Sequence, residues 1–153
     1  MIDLPEAHKT WVPWMRRAIQ LALLAEGRTS PNPLVGAIVL DSSGKLVGEG
    51  YHSGAGNPHA EIEALAQAGE KSLNGTIVVT LEPCCHQGLT PPCTEALIKA
   101  GLKKVVIGMV DPDPRVSGNG ISRLKDCGLE VIEGVLDQEC ESINREFSFR
   151  VRN

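Results

Sequence analysis

Hydrophobic residues in the first third of the chain recur at helical spacing and then form continuous runs. In residues 14–26, apolar side chains return at the spacing of an amphipathic helix. Residues 34–40 form an unbroken apolar run, which predicts a buried strand. A turn over residues 41–44 and a second strand over residues 45–51 complete a predicted β-hairpin.

The rest of the chain alternates between short strands and helices. The predicted strands cover residues 76–81, 104–109 and 129–132, and the predicted helices cover residues 59–68, 91–100, the stretch up to about 127, and about 137–147. This alternation after a hairpin predicts an α/β fold, a mostly parallel sheet covered by helices on both faces. Because the 153 residues show no repeat and few linker-like segments, we expect one domain over residues 1–153.

Two of the predicted helices start next to polar residues and prolines. Asn57 can cap the helix over 59–68, with Pro58 at its first position. Thr90 can cap the helix over 91–100. That cap would place Cys93 in the first helical turn, where the helix dipole favours a thiolate over a thiol.

Composition and charge exclude several classes of protein. Apolar residues make up 42% of the chain and charged residues 22%, as in ordinary globular proteins. The formal charge of -4 argues against a broad nucleic-acid-binding surface, which is usually basic. No segment resembles a signal peptide, and no apolar run approaches the ~20 residues of a membrane span. We therefore expect a cytoplasmic protein with no nucleic-acid or membrane partner.

Three of the five cysteines are close together in sequence. Cys84, Cys85 and Cys93 form this cluster, and an odd count without an export signal disfavours a disulfide framework. Zinc favours thiolate and imidazole ligands, so His59, Cys84 and Cys93 are candidate ligands. Three protein ligands leave one position open, which is typical of catalytic zinc rather than structural zinc.

Glu61 makes this metal site a candidate for hydrolytic deamination. Zinc can lower the pKa of water from ~15.7 to ~7, but the reaction also needs a group that moves protons. A carboxylate beside the metal and not bound to it can do this. Residues two apart point different ways on a helix, so His59 and Glu61 can share a site only where the helix begins. These residues together predict a zinc-dependent deaminase acting on an exocyclic amine.

Other interpretations of these residues stay open at this point. Cys84 and Cys93 can form a disulfide or remain inert buried thiols. A zinc ion can be purely structural if Cys85 or His86 supplies a fourth ligand. Glu61 can be an ordinary solvated charge on a helix.

The order of these motifs resembles a known family. Zinc nucleobase deaminases share His-x-Glu followed by Pro-Cys, usually with a second Cys three residues later. Here Cys93 follows Cys84 by nine positions, and this longer spacing resembles the deaminase domain of the bifunctional riboflavin-biosynthesis deaminase-reductase. The matching segments are residues 31–36, 50–52, 59–61, 81–93, 111–114 and 118–121. The resemblance runs from about Trp14 to Phe147.

The resemblance implies a fold and a reaction. The fold is cytidine deaminase-like, with three α/β/α layers around a mixed, mostly parallel sheet of five strands. The implied substrate is 2,5-diamino-6-(5-phosphoribosylamino)pyrimidin-4(3H)-one, whose amine at C2 is replaced by oxygen. The products are 5-amino-6-(5-phosphoribosylamino)uracil and ammonia. The resemblance also implies one zinc ion per chain and a homo-oligomer.

Three further residues are implied in substrate binding by the resemblance. They are Asn32, His52 and His86. Asn32 lies between two prolines, so its amide is held rigidly and can both donate and accept hydrogen bonds at a ring edge. His52 follows a predicted strand, and His86 lies between the two candidate thiolate ligands in sequence.

Contacts with the substrate phosphate depart from the family pattern. The family usually has a basic residue where Leu89 stands, and often another where Asn119 stands. Arg115 and Ser117 are the remaining side-chain candidates, together with backbone amides of the glycine loop that follows them. Asp113 replaces the usual Asn of an Asp-Pro-Asn-Pro segment and is included among the expected substrate contacts.

The same sequence contains no recognisable reductase signature. No Gly-x-Gly-x-x-Gly follows a strand, because the segment 118–120 lacks the third glycine, so we expect no NADPH and no reductase activity in this chain. A reductase is then a separate or fused partner. Two alternatives remain, a zinc deaminase of another base, nucleoside or RNA adenosine, and a non-catalytic zinc-binding module.

Overall fold

Five strands form the central sheet of the computed structural model, which describes residues 4–86 and 91–153. They are β1 (Gly36–Leu40), β2 (Leu46–Tyr51), β3 (Thr76–Leu81), β4 (Lys104–Met109) and β5 (Glu130–Ile132). The order is β2-β1-β3-β4-β5, in which β1 pairs antiparallel with β2 and β3, while β3, β4 and β5 pair in parallel. Only β1 therefore runs against the others, which confirms the mixed, mostly parallel sheet.

Helices cover both faces of this sheet. The described helices are α1 (Glu6–Lys9), α2 (Val12–Leu23), α3 (Ala60–Ala68), a 3-10 turn (Gly69–Ser72), α4 (Cys93–Lys99), α5 (Asn119–Asp126), α6 (Asp137–Ile143) and α7 (Arg145–Arg152). On one face α2 contacts β1 and α6 contacts β4, and on the other face α3 contacts β1 and β2. In the part of the chain that the structure describes, no helix has both the length and the apolarity to cross a membrane.

The interior is built almost entirely from aliphatic side chains. Strands β1, β3 and β4 are buried at nearly every position, because helices lie above and below them. Their largest fully buried side chains include Ile38, Val78, Val106 and Ile107. Strands buried on both faces appear in sequence as continuous apolar runs, which is why the bounds of β3 and β4 agree with the sequence prediction.

Helix α3 lies unusually close to β2. A Cβ atom added at Gly50 would lie 2.6 Å from the carbonyl oxygen of Ala60, and one at Gly48 would collide with the carbonyl oxygen of Ala64. Small residues on both elements therefore allow the two backbones to meet. This contact sets the distance between α3 and the sheet. It therefore also sets the position of the residues in the first turn of α3.

The two helices that carry site residues start at other positions than predicted. Helix α3 begins at Ala60 and His59 is its N-cap residue, so the predictions of Asn57 as cap and Pro58 as first helical residue were wrong. The amide of Asn57 instead donates to the hydroxyl oxygen of Ser53 at 2.9 Å. Helix α4 begins at Cys93 and not at residue 91. The predicted cap residue Thr90 lies outside the described residues.

The predicted helix over 137–147 is two helices, because the chain turns at Asn144. Its buried side-chain amide accepts a hydrogen bond from the N–H of Leu34 at 2.7 Å and donates one to the carbonyl oxygen of Leu34 at 2.8 Å. This bidentate contact joins the C-terminal helices to the segment that precedes β1. That segment also carries Asn32, so the contact reaches the candidate site.

Replacing Asn144 with alanine should destabilise the whole domain. The backbone N–H and the carbonyl oxygen of Leu34 would then be buried without a partner. This loss should lower the free energy of unfolding by about 2–4 kcal/mol. Urea denaturation measures this loss. Asn153→Ala is the matched control, since its exposed amide donates only to the carbonyl oxygen of Phe149, and it should change stability by less than about 0.5 kcal/mol. Equal stabilities of the two variants would contradict this role of Asn144.

Candidate metal centre and active site

His59, Cys84 and Cys93 meet at one point although they lie on three different segments. The N-cap of α3 carries His59, the segment after β3 carries Cys84, and the first residue of α4 is Cys93. Their potential ligand atoms all lie within 4.8 Å of one another. Nδ1 of His59 is 3.2 Å from Sγ of Cys93, and the backbone N–H of Cys93 donates to Sγ of Cys84 at 3.4 Å.

The two sulfur atoms share the electrostatics of this cluster. A hydrogen bond from Cys93 lowers the pKa of Cys84 to about 4, and the same bond raises the pKa of Cys93. The hydrogen bond to Cys84 also raises the pKa of the His59 ring. The thiol of Cys84 therefore loses its proton easily, whereas the thiol of Cys93 keeps its proton. A divalent cation that binds both sulfur atoms as thiolates displaces this second proton.

This donor set fits a zinc ion. One imidazole and two thiols are ligands that zinc prefers, and three protein ligands leave a position open. Among the described residues, the metal-ligand cluster does not include Cys85 or His86. All five cysteines are free thiols, so the structure contains no Cys84–Cys93 disulfide.

Glu61 is a buried carboxylic acid beside the cluster. Its side chain is 4% exposed, and this burial raises its pKa to about 7. The backbone of His59 is extended, with φ -71° and ψ 160°, whereas Glu61 is already within α3. Because the chain changes conformation between them, residues two apart in sequence reach one site, as the sequence analysis required.

A cavity of about 260 Å³ opens onto these groups. The predicted site residues that line it are Asn32, His52, His59, Glu61, Cys84 and His86. Its volume is of the order needed for a small heterocyclic ring. The structure therefore brings together the predicted ligands, the predicted proton carrier and three of the predicted substrate contacts.

Relationships to known proteins agree with this geometry. Residues 9–109 match the family model of the cytidine and deoxycytidylate deaminase zinc-binding region. The chain belongs to this deaminase family. It is 52% identical over 139 residues to riboflavin biosynthesis protein RibD of Synechocystis sp., covering 91% of this chain and 38% of that protein. It is 50% identical to the diaminohydroxyphosphoribosylamino-pyrimidine deaminase of Buchnera aphidicola, covering 91% of this chain and 94% of that protein.

The fold agrees with the same relatives. The solved structure of Acinetobacter baumannii RibD, form 2, matches with a TM-score of 0.93 at 44% identity, covering 97% of this chain and 42% of that chain. The chain thus spans about two fifths of the length of the RibD proteins that it matches. These findings confirm the resemblance to the deaminase domain of the bifunctional deaminase-reductase.

Within this family framework, His52 is held by two hydrogen bonds. Its Nδ1 lies 3.2 Å from the carbonyl oxygen of Pro58, and its Nε2 lies 3.1 Å from Nδ2 of Asn32. A carbonyl oxygen can only accept, so Nδ1 carries the proton and Nε2 accepts from the amide of Asn32. The ring also lies edge-on to His59, with centroids 5.5 Å apart. His52 thereby orients Asn32 within the cavity wall.

Asp113, Arg115 and Ser117 are not among the residues that line the cavity. The guanidinium of Arg115 donates to Oδ2 of Asp113 at 2.7 Å and to Oδ1 at 3.0 Å, and this pairing lowers the pKa of Asp113 to about 2. The side chain of Arg115 is 82% exposed. The substrate roles of these three residues stay predictions, and Leu89 lies outside the described residues.

Besides the aliphatic residues Pro33, Val35 and Leu81, three acidic or aromatic residues of the cavity wall were not predicted as site residues. They are Glu82, Asp111 and Phe147. Glu82 and Asp111 each follow the carboxyl end of a parallel strand, a position where ligands are commonly bound and which is a usable sequence signal. Phe147 carries no such signal, because α7 reaches the cavity only through tertiary packing.

The tautomer of His52 tests the two hydrogen bonds that this ring makes with Pro58 and Asn32 in the cavity wall. Nitrogen-15 NMR of the histidine rings should show His52 as a neutral ring with the proton on Nδ1, because the Pro58 carbonyl can accept only from that nitrogen. Asn32→Asp replaces the donor at Nε2 with an acceptor and should protonate Nε2 as well, whereas Asn32→Ala should keep the Nδ1–H form. A ring of the wild-type protein protonated on Nε2 alone is incompatible with the hydrogen bonds described here.

Proposed function

We propose that this chain is a zinc-dependent deaminase of the riboflavin pathway. Its substrate is 2,5-diamino-6-(5-phosphoribosylamino)pyrimidin-4(3H)-one, and its products are 5-amino-6-(5-phosphoribosylamino)uracil and ammonia. The observation that carries the proposal is the buried carboxyl of Glu61 beside a His-Cys-Cys cluster in a ring-sized cavity. The Buchnera aphidicola relative, named for deamination of this type of pyrimidine, supports the substrate because the chain covers 94% of it.

His59, Cys84 and Cys93 would hold one zinc ion per chain. Zinc in such a ligand set supplies Lewis acidity that makes water nucleophilic near neutral pH. The protein contributes the open ligand position and the cavity in which the pyrimidine ring would lie. A purely structural zinc site gains nothing from an unligated buried carboxyl, which is why Glu61 favours catalysis over the alternative of a binding module.

Glu61 is the proton carrier in this proposal. Hydrolysis forms a C–O bond at C2 and breaks the C–N bond, so protons from water must reach the ring nitrogen and the departing amine. A carboxyl group with a pKa near 7 can accept a proton and release it again at neutral pH. The exchange leaves the oxidation state of the ring carbon unchanged, so the reaction itself does not need NADPH.

Substrate contacts complete the proposal. Asn32, held by His52, offers an amide to the ring edge, and His86 lies in the same cavity wall. Arg115 and Ser117, with Asp113, stay the candidates for the phosphate end. We further propose a cytoplasmic homo-oligomer that passes its product to a reductase, either separate or fused.

Replacing Glu61 tests the catalytic role. Glu61→Gln should retain zinc and lose roughly 10²–10⁴-fold in kcat, because an amide cannot carry the proton. Ammonia release from the phosphorylated diaminopyrimidine measures this. Glu63→Gln is the matched control, since it is an exposed residue in the same helical turn and should behave as wild type. Wild-type ammonia release from cytidine or RNA instead of this pyrimidine would favour another deaminase, and zinc without turnover would favour a binding module.

Replacing the cysteine ligands tests the metal centre. The wild-type protein should contain about one zinc ion per chain, and Cys84→Ser or Cys93→Ser should lose most of it. Chelation should lower the thermal midpoint of the wild type, because zinc bound to the folded state stabilises it. Cys127→Ser removes an exposed cysteine outside the cluster and should leave both values unchanged. Full zinc occupancy in the Cys84 and Cys93 variants would remove these residues from the metal site.

A further inference from the structure

Glu82 is a buried acidic residue that the reaction above does not use. It directly follows β3 and precedes the segment that carries Cys84. Its side chain is 4% exposed, and it lines the same cavity as Glu61. A carboxyl group buried at this cost requires partners.

Its partners are three backbone N–H groups of one later segment. Oε1 accepts hydrogen bonds from Asp111 and Gly118, both at 3.0 Å, and Oε2 accepts one from Ile121 at 3.1 Å. Both oxygens of the carboxyl group act as acceptors, so one side chain binds three donors of the same segment. Loss of this side chain would leave three backbone N–H groups without their partner, so the contact is a firm attachment.

Part of this contact is ordinary helix capping. Gly118 is the N-cap of α5 and Ile121 lies in its first turn, where an anion is favoured by the helix dipole. This also means that the Gly118 N–H is already bonded to Glu82 and is a poor candidate for the substrate phosphate. Capping explains two of the three bonds.

The third hydrogen bond, from the N–H of Asp111, lies outside helix α5 and its cap. Asp111 is seven residues upstream of the N-cap Gly118 and directly lines the cavity. One oxygen of its half-buried carboxyl accepts the N–H of Asp113 at 2.9 Å. The two segments are also in direct contact, since a Cβ atom at Gly120 would collide with the carbonyl oxygen of Pro83.

We propose that Glu82 is a positioning residue for substrate binding, which holds the segment 111–121 against the Cys84 segment and so fixes Asp111 in the cavity wall. The inference rests on the proposed deaminase function. A fixed acidic side chain there presents an acceptor to the amino groups of a diaminopyrimidine. Glu82 itself touches neither the metal ligands' donor atoms nor the reacting carbon in this scheme.

Kinetics of Glu82 variants test this. Glu82→Gln has the same shape but presents an N–H₂ group to at least one backbone donor, and Glu82→Ala removes all three bonds. With zinc content unchanged, KM for the phosphorylated diaminopyrimidine should rise roughly tenfold in Glu82→Gln and further in Glu82→Ala, while kcat stays within about twofold. Hydrogen exchange of the Asp111, Gly118 and Ile121 amides should accelerate in the same order.

A matched control separates this role from general loosening of the fold. Glu95→Gln breaks an exposed ion pair with Arg123 that joins α4 to α5 outside the cavity, so it should leave KM unchanged. Asp111→Asn should raise KM by itself. It should add little to the effect of Glu82→Gln, because both changes weaken the contact between the Asp111 carboxyl and the substrate.

Three other outcomes would each overturn the inference in a distinguishable way. Unchanged exchange at the three amides would show that Glu82 does not hold the segment. Faster exchange with an unchanged KM would confine it to capping α5, and loss of zinc or of kcat alone would place its effect on the metal ligands. If wild-type protein released no ammonia from this pyrimidine, the proposed function would fail, and the exchange rates would still decide the attachment.

Discussion

The close contact between α3 and β2 is the constraint on which the site depends. Gly48 and Gly50 leave no side chain between strand and helix, so the backbone of α3 lies directly on the sheet. His59 can then cap the helix in an extended conformation while Glu61 already belongs to its first turn. A helix held farther out by a larger residue would carry both groups away from Cys84 and Cys93.

Two buried carboxyl groups in one cavity, those of Glu61 and Glu82, have different surroundings. Glu61 is enclosed mainly by groups that do not compensate for lost water, and its pKa rises to about 7. Glu82 is surrounded by three N–H donors and is anchored by them. Under the proposed function, the same residue type carries protons at one place and holds a segment at the other, because Glu82 accepts three backbone N–H groups from that segment.

The wall of the cavity is assembled from distant parts of the chain. Asn144 joins the C-terminal helices to Leu34, near Asn32, and α7 adds Phe147 to the lining. Glu82 joins the end of β3 to the segment after β4. Such contacts between distant segments mean that residues without catalytic chemistry decide the shape in which a ring can bind.

The sequence by itself determined the chemistry-bearing residues and the buried strands. His59, Glu61, Cys84 and Cys93 are recognisable because residue type and local spacing limit what they can do, and β3 and β4 because strands buried on both faces are continuous apolar runs. Only the tertiary structure decided that His59 is the N-cap residue of α3 and that Glu82 and Phe147 face the cavity. These outcomes depend on hydrogen bonds and packing between segments far apart in the chain, which no local pattern encodes.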